Sequence, residues 1–205
     1  MSSAKQRREA IHDSIRDAAV VEFARNGLSG TSTQAIAQAA GITKAQLHYY
    51  ITSKEDLYQQ VLGDIVTRWK EIFFLSTSAP DDPRIVIADY VRRKIRHALH
   101  HPEVARFFAR EIARGAPEMA RHWGPLRQSV DEATAIIQGW IDTGRIRPLD
   151  PLLFQMNLWA VTQHYAEYET QVRMLMDRPA PTLLDETRIV EEATALFLGR
   201  CGLLD

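Results

Sequence analysis

The amino-acid sequence predicts an all-α protein of about nine helices. Three observations support this fold class: apolar residues recur at helical spacing, glycines and prolines separate the helical stretches, and the alternating runs typical of strands are absent. With 45% hydrophobic and 25% charged residues, the 205-residue chain can bury a substantial core. This composition excludes a disordered tail, a collagen-like fibre and a miniprotein held together by disulfides. The single cysteine, Cys201, indicates a reducing compartment.

The first predicted helix extends from about Lys5 to Arg25. Its apolar residues fall on one face, and Gly27 ends it because glycine accepts the left-handed conformation of a helix C-terminus. Thr31 and Gln34 then have the spacing of a capping box, in which two side chains satisfy the first free amides of a helix. The pattern predicts a second, short helix after Thr31.

Gly41 ends this second helix, and a third begins immediately afterwards. Thr43 and Gln46 form another capping-box pattern, which opens a short helix to about Tyr50. Ser53 then has the position of an N-cap for a long fourth helix that reaches about residue 76. The segment 31–51 therefore has the arrangement of two short helices joined by a turn.

Prolines mark several later helix starts, because proline loses nothing where a backbone amide has no helical partner. The marked positions are Pro83, Pro102, Pro117 and Pro151. The last two long helices are predicted over Pro151–Met176 and Leu184–Arg200, and they are the expected interface of the homodimer that a family resemblance described below implies. The apolar faces expected there are supplied by Leu152, Phe154, Leu158, Val190, Ala193 and Phe197.

Charge is unevenly distributed along the chain. Residues 1–54 carry a formal charge of +3 and the remainder −4, although the whole chain carries only −1. A basic N-terminal region predicts a polyanion as the partner of that region alone. The sequence lacks the apolar segment of a signal peptide and any stretch long enough to span a membrane, so the expected location is the cytoplasm.

Residues 31–51 have the spacing of a helix-turn-helix. Ala37 is small enough for two helices to approach closely, while Ile42 and Leu47 supply their shared core. Thr43 caps the second helix and leaves its N-terminal amides available to a phosphate. An ordinary helical corner with a solvated polar face would have the same spacing, but the basic N-terminal arm and Lys54 favour DNA binding.

The segment TQAIAQAAGITKAQLHYYITSKEDL, residues 33–57, resembles the DNA-binding signature of the TetR family of repressors. The resemblance covers about residues 8–60. It implies a homodimer with an N-terminal DNA-binding domain at 1–54 and a ligand-binding and dimerisation domain at 55–205. It also implies a palindromic DNA operator that the protein releases when a small-molecule effector binds.

The resemblance assigns DNA-binding roles to individual positions. Gln34, Lys44 and Ala45 correspond to positions that face the bases. The positions that face phosphates or groove edges are Ser32, Thr33, Thr43, Gln46, His48, Tyr49 and Lys54. The chain departs from the family pattern at His48, Ile51 and Thr52, where tyrosine, phenylalanine and proline are usual.

A second resemblance covers segments 111–117, 140–151 and 159–166, which are similar to the family branch containing the pyrimidine-utilisation regulator. It implies a response to uracil or thymine. Trp159, Thr162 and Gln163 lie within about two turns of one helix, where an aromatic plate could stack on a planar ligand and an amide could bind it. Trp69 and Phe73 are candidates for the opposite wall. The alternative is an aromatic seam of the core.

Other clusters favour structural roles. His97, His100 and His101 have metal-compatible spacing but no accompanying cysteine or carboxylate cluster, so no metal is predicted. Arg106, Arg110 and Arg114 form a stripe that neighbouring glutamates could pair with on a solvated face. The sequence contains no recognisable catalytic motif, so no catalytic residue and no cofactor are predicted. An all-α enzyme or carrier with a scaffolding N-terminal corner, and a dimeric interaction protein, remain alternatives.

Overall fold

The computed structural model describes residues 3–73 and 82–204, and the side chains of residues 5–70 and 82–204. Within these residues there are ten α-helices, a single 3-10 turn and no strand. The helices are α1 (Ser3–Gly30), α2 (Thr33–Ala39), α3 (Lys44–Tyr50), α4 (Lys54–Phe73), α5 (Pro83–His100), α6 (Pro102–Ala113), α7 (Trp123–Asp142), α8 (Pro151–Glu167), α9 (Glu169–Leu175) and α10 (Glu186–Cys201). The predicted all-α class is confirmed.

One more helix is present than the sequence predicts, because the expected helix Pro151–Met176 breaks in the middle. Tyr168 has φ −109° and ψ 28°, which separates α8 from α9. Neither glycine nor proline occurs at the break, so the sequence pattern gave no signal for it. No helix among the described residues is long and apolar enough to cross a membrane.

The chain divides into two compact units. The N-terminal unit comprises Met1–Thr67 and Arg106–His122, and the C-terminal unit comprises Arg68–Ala105 and Trp123–Asp205. Helices α4 and α6 each contribute residues to both units. The functional boundary at residue 54 stays a prediction.

Helix α1 supplies much of the core of the N-terminal unit. Ile15, Ala19 and Phe23 are buried on the face that the periodicity predicts. The regular helix ends at Gly27, as predicted: this residue has non-helical φ 68° and ψ 177°, and one further turn follows to Gly30. Glycine is needed there because other residues rarely adopt a positive φ.

The N-cap of α2 differs from the predicted one because of this extra turn. The Thr31 hydroxyl lies 2.7 Å from the carbonyl of Gly27 and donates to it, so this hydroxyl closes the end of α1. Ser32 is the N-cap instead, and its hydroxyl oxygen accepts a hydrogen bond from the amide of Ala35 at 3.1 Å. The capping box predicted for Thr31 and Gln34 is therefore wrong.

A carboxylate is buried in the N-terminal unit. Glu111 of α6 is fully buried and accepts hydrogen bonds from the Tyr58 hydroxyl at 2.8 Å and from Arg114 Nε at 2.6 Å. The backbone amide of Glu118 donates to its other oxygen at 2.8 Å. Each oxygen of this buried carboxylate therefore has a donor, as buried charges require.

The C-terminal unit is built around a core shared by α5, α7, α8 and α10. Phe154 and Leu158 of α8 and Ala193 and Phe197 of α10 are all buried in this core within one chain. The prediction that these four side chains supply a dimer interface is wrong, because helical periodicity identifies an apolar face but not which partner covers it. Leu152 is exposed, as an interface residue must be before assembly.

Candidate nucleic-acid interface and effector site

A sharp turn joins α2 to α3. Gly41 has φ +69°, its amide donates to the carbonyl of Gln38 at 3.1 Å, and the amide of Ile42 donates to Ala37 at 3.0 Å. These two hydrogen bonds satisfy the last carbonyls of α2. A Cβ atom at position 41 would meet no other atom within 4 Å. The turn therefore requires glycine for its backbone conformation and not for close packing.

Helix α3 is held by the capping box that the sequence predicts. The Thr43 hydroxyl oxygen accepts from the amide of Gln46 at 3.1 Å, and the Gln46 side chain accepts from the amide of Thr43 at 2.9 Å. This reciprocal pair fixes the first turn of a helix of only seven residues, which would be unstable in isolation.

The buried and exposed sides of α3 are clearly separated. Leu47 is fully buried, while Tyr49 keeps 77% of its surface exposed. Thr33, another residue predicted to bind DNA, is half-buried. The remaining predicted DNA-binding residues of this region are exposed, namely Ser32, Gln34, Thr43, Lys44, Ala45, Gln46 and His48. The structure thus brings these residues to the accessible side of one helical corner.

Lys54 is a predicted contact residue that also connects two separate segments of the chain. Its ammonium donates to the carbonyl of Thr31 at 2.9 Å and so connects the start of α4 to the chain just before α2. The ammonium has two further protons with which it could meet a phosphate.

Two residues of α1 support the corner and were missed by the sequence analysis. Ser14 donates from its hydroxyl to the carbonyl of Ala40 at 3.1 Å. The ring of His12 meets the edge of the Tyr50 ring at 5.1 Å, and Tyr50 in turn meets Tyr49 at 5.3 Å. As a result, Tyr50 is only half-buried and not fully exposed. Contacts between residues so far apart in the chain leave no pattern in the local sequence.

The arginine stripe of α6 has two different roles. Arg114 pairs with Glu111 and Glu118 at 2.6 and 3.6 Å, which confirms the predicted ion pairs for this residue. Arg110 instead donates to the carbonyl of Arg25 at 2.8 Å. The prediction that Arg110 only pairs with neighbouring glutamates is wrong, because α6 lies in the same unit as α1, whose last carbonyls need donors.

The predicted effector residues lie in the C-terminal unit. Trp69 and Trp159 both pack against its core, from α4 and α8 respectively. Thr162 is fully buried, and its hydroxyl donates to the carbonyl of Leu158 at 2.6 Å, while Gln163 is half-buried. The side chain of Phe73, the remaining candidate, lies outside the described residues.

A buried lysine lies among these aromatic residues. Lys94 of α5 is 6% exposed, and its Nζ is 4.9 Å from the centre of the Trp69 ring. Burial lowers the pKa of Lys94 to about 8, and the charge of Glu167 opposes this shift. The sequence does carry a signal that was missed: Lys94 occupies an apolar stripe with Val91 and Ala98, where a lysine is unusual.

Neighbouring groups complete this polar cluster. Burial raises the pKa of the Tyr90 hydroxyl, and the neighbouring Trp159 side chain opposes this shift. Burial, His101 and Lys94 together lower the pKa of His97 to about 4, so its imidazole is neutral at neutral pH. The described part of the chain contains no group of three or more potential metal ligands.

Together, the capped corner and its exposed polar face define a helix-turn-helix protein of the DNA-binding class. Residues 15–61 match the family described as bacterial regulatory proteins, tetR family, and residues 62–203 match the YcdC-like protein C-terminal region of that family. The chain therefore belongs to the TetR family of transcriptional regulators.

Individual relatives agree with this assignment. The chain is 37% identical over 174 residues to the HTH-type transcriptional regulator RutR of Escherichia coli (strain K12), an alignment that covers 84% of this chain and 80% of the relative. It is 29% identical over 160 residues to the HTH-type transcriptional repressor SCO4008 of Streptomyces coelicolor, covering 75% and 79%. The predicted similarity to the branch containing the pyrimidine-utilisation regulator is confirmed.

Solved structures share the fold. A TetR family transcription regulator from Marinobacter aquaeolei VT8 superimposes with a TM-score of 0.71 at 22% identity, covering 96% of this chain and 97% of that chain. AibR in complex with isovaleryl coenzyme A and operator DNA superimposes with a TM-score of 0.70 at 18% identity, covering 91% and 97%. At these identities the comparison establishes the architecture.

Proposed function

We propose that this regulator binds a palindromic operator as a homodimer and releases it when a small planar effector binds in the C-terminal unit. The observation that supports the DNA-binding part of the proposal is the exposed polar face of α3. The opposite side of this helix is packed through Leu47, which is fully buried. A capped helix with this division can insert into a major groove while its other side remains packed.

The proposed dimer places two copies of α3 in successive major grooves, about 34–36 Å apart or somewhat more if the DNA is distorted. Exposed apolar side chains support α8 as part of the dimer interface. Leu152, Leu153 and Met156 of this helix expose 41%, 56% and 45% of their surface. Burying these side chains against a second copy would favour association.

Release of the operator requires linkage between the two sites. An effector must favour a conformation of the dimer that binds the operator more weakly, and a coupling free energy of about 1–3 kcal/mol is typical. The transmitter we propose is α4, which pivots near residues 54–57 and carries Trp69 further along its length. Its residues are divided between the two units.

The proposed effector is a pyrimidine such as uracil or thymine. Support comes from the 37% identity to RutR and from aromatic residues that pack against the core of the C-terminal unit, Trp69 and Trp159. Such rings stack on planar ligands. No catalytic activity is proposed, and the proposed location is the cytoplasm, where a regulator meets its operator.

Replacement of one exposed lysine tests the DNA-binding part. Lys44→Ala should weaken binding to an operator selected from random duplexes by about tenfold or more and reduce discrimination against unrelated duplexes, because Lys44 is a predicted base contact. Fluorescence anisotropy across a series of salt concentrations measures both affinities. Lys54→Ala should weaken binding to all duplexes and reduce the salt slope by about one unit.

Lys70→Ala is the matched control, since Lys70 is an exposed lysine of α4 outside the predicted interface. This variant should bind like the parent protein. Equal operator affinity for the parent, Lys44→Ala and Lys54→Ala would overturn the assignment of the site. Thermal unfolding of each variant separates loss of a contact from loss of the fold, particularly for Lys54, which has a structural partner.

A further inference from the structure

We propose that Arg110 of α6 is a positioning residue for operator binding: it fixes the end of α1 and thereby the orientation of α2 and α3. The inference rests on the proposed function, because it takes the corner formed by α2 and α3 to be the part that binds DNA. It adds to that function a residue outside the corner that improves the fit to a duplex without contacting it.

The guanidinium of Arg110 lies where the regular part of α1 ends. Its Nη1 donates to the carbonyl of Arg25 at 2.8 Å and to that of Ala24 at 3.3 Å. A Cβ atom on Gly27 would lie only 3.0 Å from its Nε, so the guanidinium covers the backbone at the break. A cation at this end of a helix also interacts favourably with the helix dipole.

Hydrogen bonds connect this break to the start of the corner. The hydroxyl and the amide of Thr31 both donate to the carbonyl of Gly27, at 2.7 and 3.2 Å. The carbonyl of Thr31 in turn accepts from the Lys54 ammonium at 2.9 Å. Ser32, the next residue, is the N-cap of α2. The position at which α2 begins therefore depends on the backbone that Arg110 holds.

Helix α6 is a firm base for this contact. Glu111, the residue after Arg110, is fully buried and accepts from the Tyr58 hydroxyl at 2.8 Å. Phe107, one turn earlier, is also buried, and its ring centre lies 4.8 Å from that of Tyr58. These contacts fix the rotation of α6 about its axis, so Arg110 is presented to α1 in a defined place.

A fixed corner binds DNA more tightly than a mobile one. If the corner samples several orientations, only the fraction that fits a major groove can bind, and the apparent affinity falls by that fraction. A dimer must place two corners at once, so the loss applies to both. Arg110 thus acts by raising the population of the orientation that fits.

Arg110→Met tests this role, because it removes the donors and keeps an unbranched side chain. Operator affinity, measured by fluorescence anisotropy, should fall by about five- to tenfold. The loss is moderate because Arg110 is exposed and water can partly replace it. The salt slope should stay at the parent value, since no phosphate contact is lost, in contrast to Lys54→Ala.

Arg127→Met is the matched control, because it removes the same charge from an exposed arginine of α7. It should bind the operator like the parent. Arg110→Lys should recover most of the lost affinity, since one nitrogen of Arg110 makes both carbonyl contacts and an ammonium can replace it. Hydrogen exchange of the amides of residues 27–36 should be faster in Arg110→Met, while that of α5 stays unchanged.

The outcomes distinguish this inference from the proposed function. Operator affinity at the parent value in Arg110→Met would overturn the role of Arg110 and leave the DNA-binding assignment, which depends on Lys44, in place. A weaker affinity with a reduced salt slope would also overturn it, because Arg110 would then contact a phosphate. If Arg110→Met does not fold, Arg110→Gln, which keeps a neutral donor, decides by the same two measurements.

Discussion

The two units of this regulator treat a buried charge in opposite ways. In the N-terminal unit, Glu111 receives hydrogen bonds from Tyr58, Arg114 and a backbone amide. In the C-terminal unit, Lys94 lies against the Trp69 ring, and its pKa falls to about 8 because burial outweighs the favourable charge of Glu167. Both side chains are buried, and each shifts neighbouring pKa values in the direction that its charge dictates: Glu111 raises that of Tyr58, and Lys94 helps to lower that of His97.

This difference shows in the pKa values of the groups that surround each charge. The pKa of Tyr58 is raised by burial and then by Glu111, and the pKa of Arg114 is raised by Glu111 although burial opposes it. Both donors therefore keep their protons across the whole physiological range. The network around Glu111 is locked, whereas the pKa of Lys94 falls because burial outweighs the favourable charge of Glu167.

The largest effect is expected where the locked network is broken. Glu111→Ala should lower the free energy of unfolding by about 3 kcal/mol, because it removes a buried hydrogen-bonded ion and leaves a cavity. Denaturant unfolding measures the change. Asp131→Ala, which removes an exposed ion pair with Arg127, should cost less than about 1 kcal/mol. A similarly small loss for Glu111→Ala would remove the contrast between the two units.

An effect of opposite sign is expected at Lys94. Lys94→Met should raise the free energy of unfolding at neutral pH by about 2 kcal/mol, because it replaces a costly buried charge with an apolar chain of similar length. In the parent, the unfolded chain binds more protons than the folded one between the folded pKa of about 8 and the unfolded value of 10.5. Stability of the parent should therefore rise with pH across this window.

Lys94→Met should lack that rise, and denaturant unfolding at about pH 7 and about pH 9 measures it. Arg96→Met, which removes an exposed cation from the same helix, should retain the pH dependence of the parent. If Lys94→Met were less stable than the parent and showed the same pH dependence of stability, the charge of Lys94 would be as well stabilised by its neighbours as that of Glu111.

The smallest effect tests one bond of the Glu111 network. Tyr58→Phe keeps the ring that packs against Phe23 and Phe107 at 4.9 and 4.8 Å but removes the hydroxyl donor. The expected loss of stability is about 1 kcal/mol, since Arg114 still donates to the same carboxylate oxygen. Tyr49→Phe is the control, because the exposed Tyr49 ring should change stability by no more than a few tenths of a kcal/mol.

Prediction from sequence succeeded where the determinants are local. The capping box of Thr43 and Gln46 was predicted and is present, because its two hydrogen bonds join residues three apart. It failed where a nearby group outside the capping pattern competes for the same hydroxyl. Thr31 has the sequence of a cap, yet its hydroxyl closes α1, since the turn after Gly27 brings that carbonyl within reach.

The candidate sites show the same division. The exposed face of α3 follows from the buried position of Leu47 and helical geometry, so its residues could be named from sequence. Lys94 was missed at the effector site, although its position in an apolar stripe was visible. Its neighbour Trp69 comes from α4, and no periodicity within one helix relates the two residues.

The sequence by itself determined the helical class, the helix-turn-helix and the cap of α3, and membership of the TetR family, because these depend on residue types at short, fixed separations. Only the tertiary structure decided that Arg110 caps α1 from a position 85 residues away, that Phe154 and Phe197 belong to the core of one chain, and that Lys94 is buried. Burial and long-range hydrogen bonds depend on which elements pack together, and a helical face can be covered by its own chain, by a partner or by water without any change in its pattern.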